Sequence, residues 1–241
     1  ITPICMGGKD KWPVHFVWTH LHIRNGGKGL FLESLNNGGW DRPEYIRSGE
    51  QMLELVELEP FQKGWLAATW PDQAGFFGDG KCAMAFMGNW MYGAQASNSA
   101  SGEGLADANM GMFNMPMTSG GMGDSGDTLG GINGWLFSST ASDAAVELMM
   151  HYVSLDIQKE DASNGAYIPI VKGADGSLTN PFLQQVAKNI SNSEYHQIFY
   201  DQFLGADIGR VVNDVSTDLA AGIISAEEAT QAVQEAWEFN Q

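Results

Sequence analysis

Trp90 is the side chain best placed to act on a ligand. It follows an apolar run of strand length, residues 82–87, and a Gly88-Asn89 turn, so it stands just past the C-terminal end of a buried strand. Open α/β sheets gather their ligands at that end. The other chemistry to weigh is sparser. His20 and His22 are two apart and point to different sides of any helix, whereas a metal pair needs i, i+4 spacing. Met110, Met112, Met115 and Met117 offer thioethers of the type that bind copper, but their spacing better fits the filling of an apolar strand. Cys5 and Cys82 are the only cysteines. Either they pair in an oxidising compartment or they are two buried apolar residues, and the residue types favour the second.

Several chemistries have no motif to carry them. The chain contains neither a Gly-rich phosphate loop ending in Gly-Lys-Ser/Thr nor a Gly-x-Ser-x-Gly elbow. Glycoside hydrolysis requires two carboxylates at a defined separation, and nothing in the order of the 29 acidic residues places such a pair. The expectation is no catalytic residue, no metal and no cofactor.

Composition narrows the class. With 241 residues the chain can bury a sizeable core, and 44% hydrophobic against 17% charged residues makes it globular. Twelve Lys and Arg against 29 Asp and Glu give a formal net charge of −17, which repels nucleic acid and anionic membranes. No apolar run approaches the ~20 residues that span a bilayer. Thirty glycines and eight tryptophans suit turns and aromatic surfaces of the type that hold carbohydrate, with a tryptophan-rich core as the alternative.

The elements that must position these residues can be read in order. Residues 1–6 read as a short buried strand, and 15–24 as a helix stopped by Asn25-Gly26-Gly27. Residues 43–58 form an amphipathic helix closed by Pro60, and 72–77 a further helical turn. Residues 110–117 are expected as a strand, 119–126 as a flexible loop and 129–138 as an apolar strand with Trp135 in the core. Helices follow at 142–154, after Asn180-Pro181, over 205–221, and after the capping box Ser225-Ala226-Glu227-Glu228. Strands and helices alternate early and helices gather late, so the class is α/β with a helical C-terminal part.

An ordered set of segments carries a resemblance. These are Ile1-Thr2-Pro3-Ile4 with Gly7-Gly8-Lys9-Asp10-Lys11-Trp12-Pro13, then Phe77-Gly78-Asp79-Gly80-Lys81-Cys82-Ala83-Met84, and Met87-Gly88-Asn89-Trp90. Later come Asp127-Thr128-Leu129-Gly130-Gly131-Ile132-Asn133-Gly134-Trp135, Ile168-Pro169-Ile170-Val171-Lys172-Gly173 and Gly209-Arg210-Val211-Val212-Asn213-Asp214. In this order they make the chain resemble the extracellular solute-binding proteins of sugar ABC importers, the maltose-binding-protein-like family 1.

The resemblance implies a periplasmic-binding-protein-like fold of type II, two α/β lobes joined by a hinge with sugar bound between them. Against that pattern most of the first lobe has no counterpart here. Residues 1–131 would be the second lobe, 132–172 a returning segment of the first, and 173–241 helices packed mainly on the second. The family's sugar-stacking aromatic matches Trp90, next to Asn89. Lys11, Trp12 and His15 fall where the family has ligand-facing side chains, while Gly130, Gly131 and Asn133 fall on the second crossing. The implied partners are a sugar and the membrane permease, with no nucleic acid, for a monomer in the periplasm or outside the cell, lipid-anchored in a Gram-positive source. A polysaccharide-active glycosidase or lyase with a tryptophan-lined cleft is the competing expectation.

Overall fold

A computed structural model describes residues 1–165 and 167–241, which divide into two compact units. The larger comprises Ile1–Gly131 with Ser193–Gln241, and the smaller Ile132–Asn192.

In the larger unit, strand β1 (Thr2–Cys5) enters helix α1 (Trp12–Asn37), followed by α2 (Pro43–Val56) and α3 (Trp70–Gly78), before the chain returns as β2 (Cys82–Ala85). β1 and β2 pair in parallel, Thr2 against Cys82 and Ile4 against Met84. Parallel pairing demands such a crossover through helices. Cys5 and Cys82 are disulfide-bonded with their Cα atoms 5.5 Å apart, which corrects the expectation of two free, buried thiols. The spacing alone could not show that neighbouring strands bring the two sulfurs together. Helix α4 (Met91–Ser97) follows, then β3 (Thr128–Gly130). The tail supplies β4 (His196–Ile198), α8 (Tyr200–Phe203), α9 (Ala206–Ala220) and α10 (Ala226–Phe239). β4 pairs in parallel with β3.

Helix α1 organises this unit. Its first half is buried on nearly every side, from Pro13 to Thr19 and from Leu21 to Gly27, as expected of a central rather than a surface helix. The predicted stop at Asn25-Gly26-Gly27 is a break within the helix instead. Gly27 takes φ 63° and ψ −173°, and the helix then resumes to Asn37. Around α1 pack Trp40, Tyr45 and Met52, Val212 and Leu219 of α9, and Val233 of α10. The capping box at Ser225 and Glu228 forms as the sequence implies.

Two expected strands are absent among the described residues. Residues 110–117 run as irregular chain, and of 129–138 only the first two residues belong to β3. Trp135 is 66% exposed and Leu136 fully exposed, which corrects the placing of Trp135 in a core. An apolar run forms a buried strand only when sheet neighbours cover it.

The smaller unit holds α5 (Asp143–Tyr152), α6 (Leu155–Ser163) and α7 (Pro181–Asn192) around a thin core of Ala162, Leu178 and Leu183. Leu183 draws α7 into this unit, so 173–192 separate from the C-terminal helices with which the sequence grouped them.

Candidate functional site

The start of α1, the end of β2 and the turn after β4 bring an aromatic cluster together in the larger unit. Pro13 at the second position of α1 favours helix initiation after Trp12. Trp70 opens α3, where Thr69 and Asp72 form a capping box and the Trp70 backbone N–H donates to Asp10 Oδ2 at 2.7 Å. Trp90 immediately precedes α4. Gly88 leaves room for the Trp90 ring where it stands, since a Cβ at that position would overlap it unless the indole shifted.

The ring centroids of Trp12 and Trp70 lie 5.9 Å apart, and those of Trp12 and Trp90 6.4 Å apart. The planes are tilted by 53° and 56°, so the indoles form a shallow, faceted surface. Trp90 is 37% exposed, and Trp12 and Trp70 are half-buried. Beneath them Phe16 and Phe199 stack at 4.2 Å, and Trp90 meets both rings edge-on at 6.2 Å. This second layer is buried, so the exposed indoles rest on a fixed apolar floor.

Under the floor lies a polar layer. His15, expected to face ligand, is fully buried against Phe16 and Phe199, at 4.9 and 6.1 Å between centroids. Burial lowers its pKa to about 4, against the opposing pull of Asp201, whose Oδ1 lies 3.7 Å from His15 Nε2. That distance is too long for a hydrogen bond, and neither ring nitrogen has a partner among the described residues. Asn213 ties the layer together by donating to Asp201 Oδ2 at 3.2 Å. The phenyl rings separate this imidazole–carboxylate pair from the exposed indoles, so His15 supports the surface from below.

Lys11 adopts φ 63° at the start of α1 and places its ammonium 2.6 Å from Asp214, which also receives Arg210 at 3.3 Å. Asn89 is half-buried beside Trp90 in the chain. A Cβ on Gly130 would come 2.6 Å from the His196 ring, and one on Gly131 would come 2.8 Å from the Phe199 ring. Both glycines therefore let tail rings approach the segment leaving β3. Asn133 is exposed and belongs to the smaller unit. Trp40 is wholly core, and Asp127 is buried with its carboxylate accepting from the Asp124 backbone at 2.9 Å.

Sequence reasoning did not single out Phe16 or Phe199. Phe16 shares a helical face with Trp12 at i, i+4, a signal that was available. Nothing local marks Phe199, and both it and Trp70, whose adjoining Pro71-Asp72 is a weak local signal, reach the cluster through the tertiary fold. Among the described residues no group of three or more His, Cys, Asp or Glu could hold a metal, and no helix is long and apolar enough to cross a membrane. What the site offers is an aromatic surface with polar neighbours.

Known proteins give the arrangement its context. A protein from a study of xylan utilization by the thermophilic bacterium Caldanaerobius polysaccharolyticus superposes with a TM-score of 0.82 at 22% identity, over 98% of this chain and 61% of that one. A chitin oligosaccharide binding protein follows at 0.79 and 21%, over 99% and 60%. A sugar transporter of Bacillus licheniformis in complex with stachyose gives 0.68 and 14%, over 100% and 62%. The chain thus spans about 60% of the length of the solved structures it matches, and it shares their type II periplasmic-binding-protein fold. No curated protein matches it. The family model described as bacterial extracellular solute-binding protein matches residues 1–160, two thirds of the sequence, and the chain belongs to that family.

Proposed function

We propose that this chain binds a sugar on the Trp90 surface and, as part of an importer's solute-binding protein, hands it to a membrane permease. The observation that carries the reading is the cluster of partly exposed indoles braced by the Phe16–Phe199 stack. A pyranose has an apolar C–H face and a rim of hydroxyls. Covering ~80–100 Å² of that face at ~25 cal/mol/Å² contributes about 2 kcal/mol. Hydrogen bonds to charged groups add roughly 1.5–3 kcal/mol each, and a micromolar sugar needs about −8 kcal/mol after association costs. Stacking and polar contacts are both required. Sugars named for the matched structures, chitin oligosaccharide and stachyose among them, support the same class.

The larger unit would then be one lobe and the smaller unit a returning piece of the other. The exposed Ile132, Trp135 and Leu136, and Leu148 on α5, are the apolar side chains that further chain of that lobe would cover. Lys11, Asn89, Gly130, Gly131 and Asn133 are the remaining ligand-binding candidates. The family and the Cys5–Cys82 disulfide both favour action outside the cytoplasm; a monomer, lipid-anchored in a Gram-positive source, is part of the same proposal.

Tryptophan fluorescence and calorimetry on the protein isolated from its source test the reading, with xylo-, chito-, malto- and galacto-oligosaccharides as probes. Saturable binding that shifts the emission, with the sugar recovered unchanged, is the expected result. Cleavage would point to an enzyme, and silence across the panel would discard the sugar.

A further inference from the structure

The polar layer under the aromatic floor is drawn from three helices of the larger unit, with His15 on α1, Asp201 on α8 and Asn213 on α9. His15 Nδ1 and Nε2, Asp201 Oδ1 and Asn213 Oδ1 are buried and have no hydrogen-bond partner among the described residues. Native proteins rarely leave buried polar atoms in that condition, and a bound water or ion is one way of satisfying them. We propose that His15 Nε2, Asp201 Oδ1 and Asn213 Oδ1 are ligands of one divalent transition-metal ion of the Zn²⁺ type. The site lies apart from the indole surface and does not depend on the sugar reading.

Distance favours an ion over a water. His15 Nε2 and Asp201 Oδ1 are 3.7 Å apart. A water hydrogen-bonded to both would hold them about 4.5 Å apart. Two ligands at roughly 2.1 Å on a tetrahedral Zn²⁺ sit about 3.4 Å from each other, which is nearer the spacing found. Charge points the same way. His15 is the ion-pair neighbour of Asp201 among the described residues, and burial keeps that imidazole neutral by lowering its pKa to about 4. Lys11 and Arg210 both pair with Asp214 instead. The Asp201 carboxylate is thus left without a cation, beside an imidazole in the neutral form that ligates metals.

The third donor is an amide oxygen. Asn213 Nδ2 donates to Asp201 Oδ2 at 3.2 Å, which leaves Oδ1 as the free acceptor, and the side chain faces the His15 ring. A Cβ on Gly209 would come 2.4 Å from the Asp201 carbonyl oxygen, so glycine lets α9 close on α8 at this point. The His15 side chain is fully buried while that of Asp201 is 21% exposed, so an ion, and water for its remaining position, enter past Asp201. An imidazole ligand selects Zn²⁺ and its neighbours over Ca²⁺, which takes oxygen donors. No local spacing announces these ligands, because the fold gathers them from three helices.

The experiment is calorimetric titration with Zn²⁺ of the protein isolated from its source and stripped with EDTA. At least one Zn²⁺ per chain should bind, with Ca²⁺ about tenfold weaker or more. Asp201→Asn keeps the shape and removes the charge, and should raise the Zn²⁺ Kd about tenfold or more. Asn213→Asp supplies a second carboxylate, and should lower that Kd about tenfold while Zn²⁺ raises its thermal midpoint by more than that of the wild type. A layer held by hydrogen bonds alone predicts no such gain, since the added carboxylate would only repel Asp201. Circular dichroism checks that each variant is folded, and the wild-type titration needs no variant. No Zn²⁺ binding by the wild type would overturn the proposal. So would binding that both variants leave unchanged, which would place the ion elsewhere, for example on the exposed His151. Tighter binding of Ca²⁺ than of Zn²⁺ would remove the imidazole as a ligand and overturn it as well.

Discussion

Phe16 and Phe199 stack at 4.2 Å with their planes only 11° apart, joining the first turns of α1 to the residue that enters α8. The pair carries Trp90 above it and His15 below it, so one contact fixes both the exposed surface and the buried polar layer. Gly131 lies against the same Phe199 ring, which ties the end of the first chain segment of the larger unit to the floor of the site.

Removing that floor should cost stability and loosen Trp90. Phe199→Ala deletes a buried ring and is expected to destabilise the protein by about 3 kcal/mol or more, while Phe199→Leu costs less because part of the volume stays filled. Urea unfolding measures the loss. An unchanged midpoint in Phe199→Ala would contradict the packing described here.

The disulfide closes a long loop, 77 residues apart in sequence. Replacing both Cys5 and Cys82 by Ser should lower stability by roughly 2–4 kcal/mol, because the unfolded chain regains the freedom the bond removes. Thermal unfolding with and without dithiothreitol checks this. Reductant should lower the midpoint of the native protein and leave that of the double variant where it was.

Arg24 is buried, and its guanidinium serves backbone alone. Its Nε and Nη2 donate to Met115 O at 3.0 and 2.9 Å, and Nη1 to Asp124 O and Asp127 O at 2.8 and 3.0 Å. Burial lowers its pKa, with Asp127 and Asp124 pulling the other way. The segment is also held through the break in α1, since Met122 N–H and Gly123 N–H donate to Asn25 O and Arg24 O. Arg24→Met should cost about 3–5 kcal/mol by leaving these carbonyls unpaired, and Arg24→Lys should recover only part, having three donors on a single point. Hydrogen exchange reads the effect directly, as faster exchange of the Met122 and Gly123 amides.

Stability should fall in mild acid, because burial lowers the pKa of His15, His20, His22 and His196 in the folded protein. His22 is buried between Trp18, Tyr45 and Tyr200 with neither nitrogen paired among the described residues, and burial lowers its pKa to about 3, as it lowers that of His15 to about 4. Above the ordinary value of 6.5 both are neutral folded or unfolded, and the full stability is present. As pH drops below that value the unfolded chain takes up protons that the folded chain refuses, so stability is lost down to the folded pKa of each. For His15 the loss is as much as about 3 kcal/mol. Urea midpoints between about pH 7.5 and pH 5 should show it, and His22→Phe, which keeps a ring in place, should flatten the slope.

The sequence by itself determined the local elements whose signals are local. The amphipathic pattern around Tyr45 and Met52, the capping box at Ser225 and Glu228, and the Gly88-Asn89 turn that delivers Trp90 all formed where residue type and spacing implied. The ordered motifs were also enough to indicate the family. Only the tertiary structure decided what depends on partners far along the chain. It paired Cys5 with Cys82, brought Phe199 to Phe16 and Trp70 to Trp12, turned His15 inward, and left Trp135 uncovered. The physical reason is common to all four. Periodicity shows that a side chain needs cover or a partner, but which distant residue meets that need is set by how the strands and helices pack.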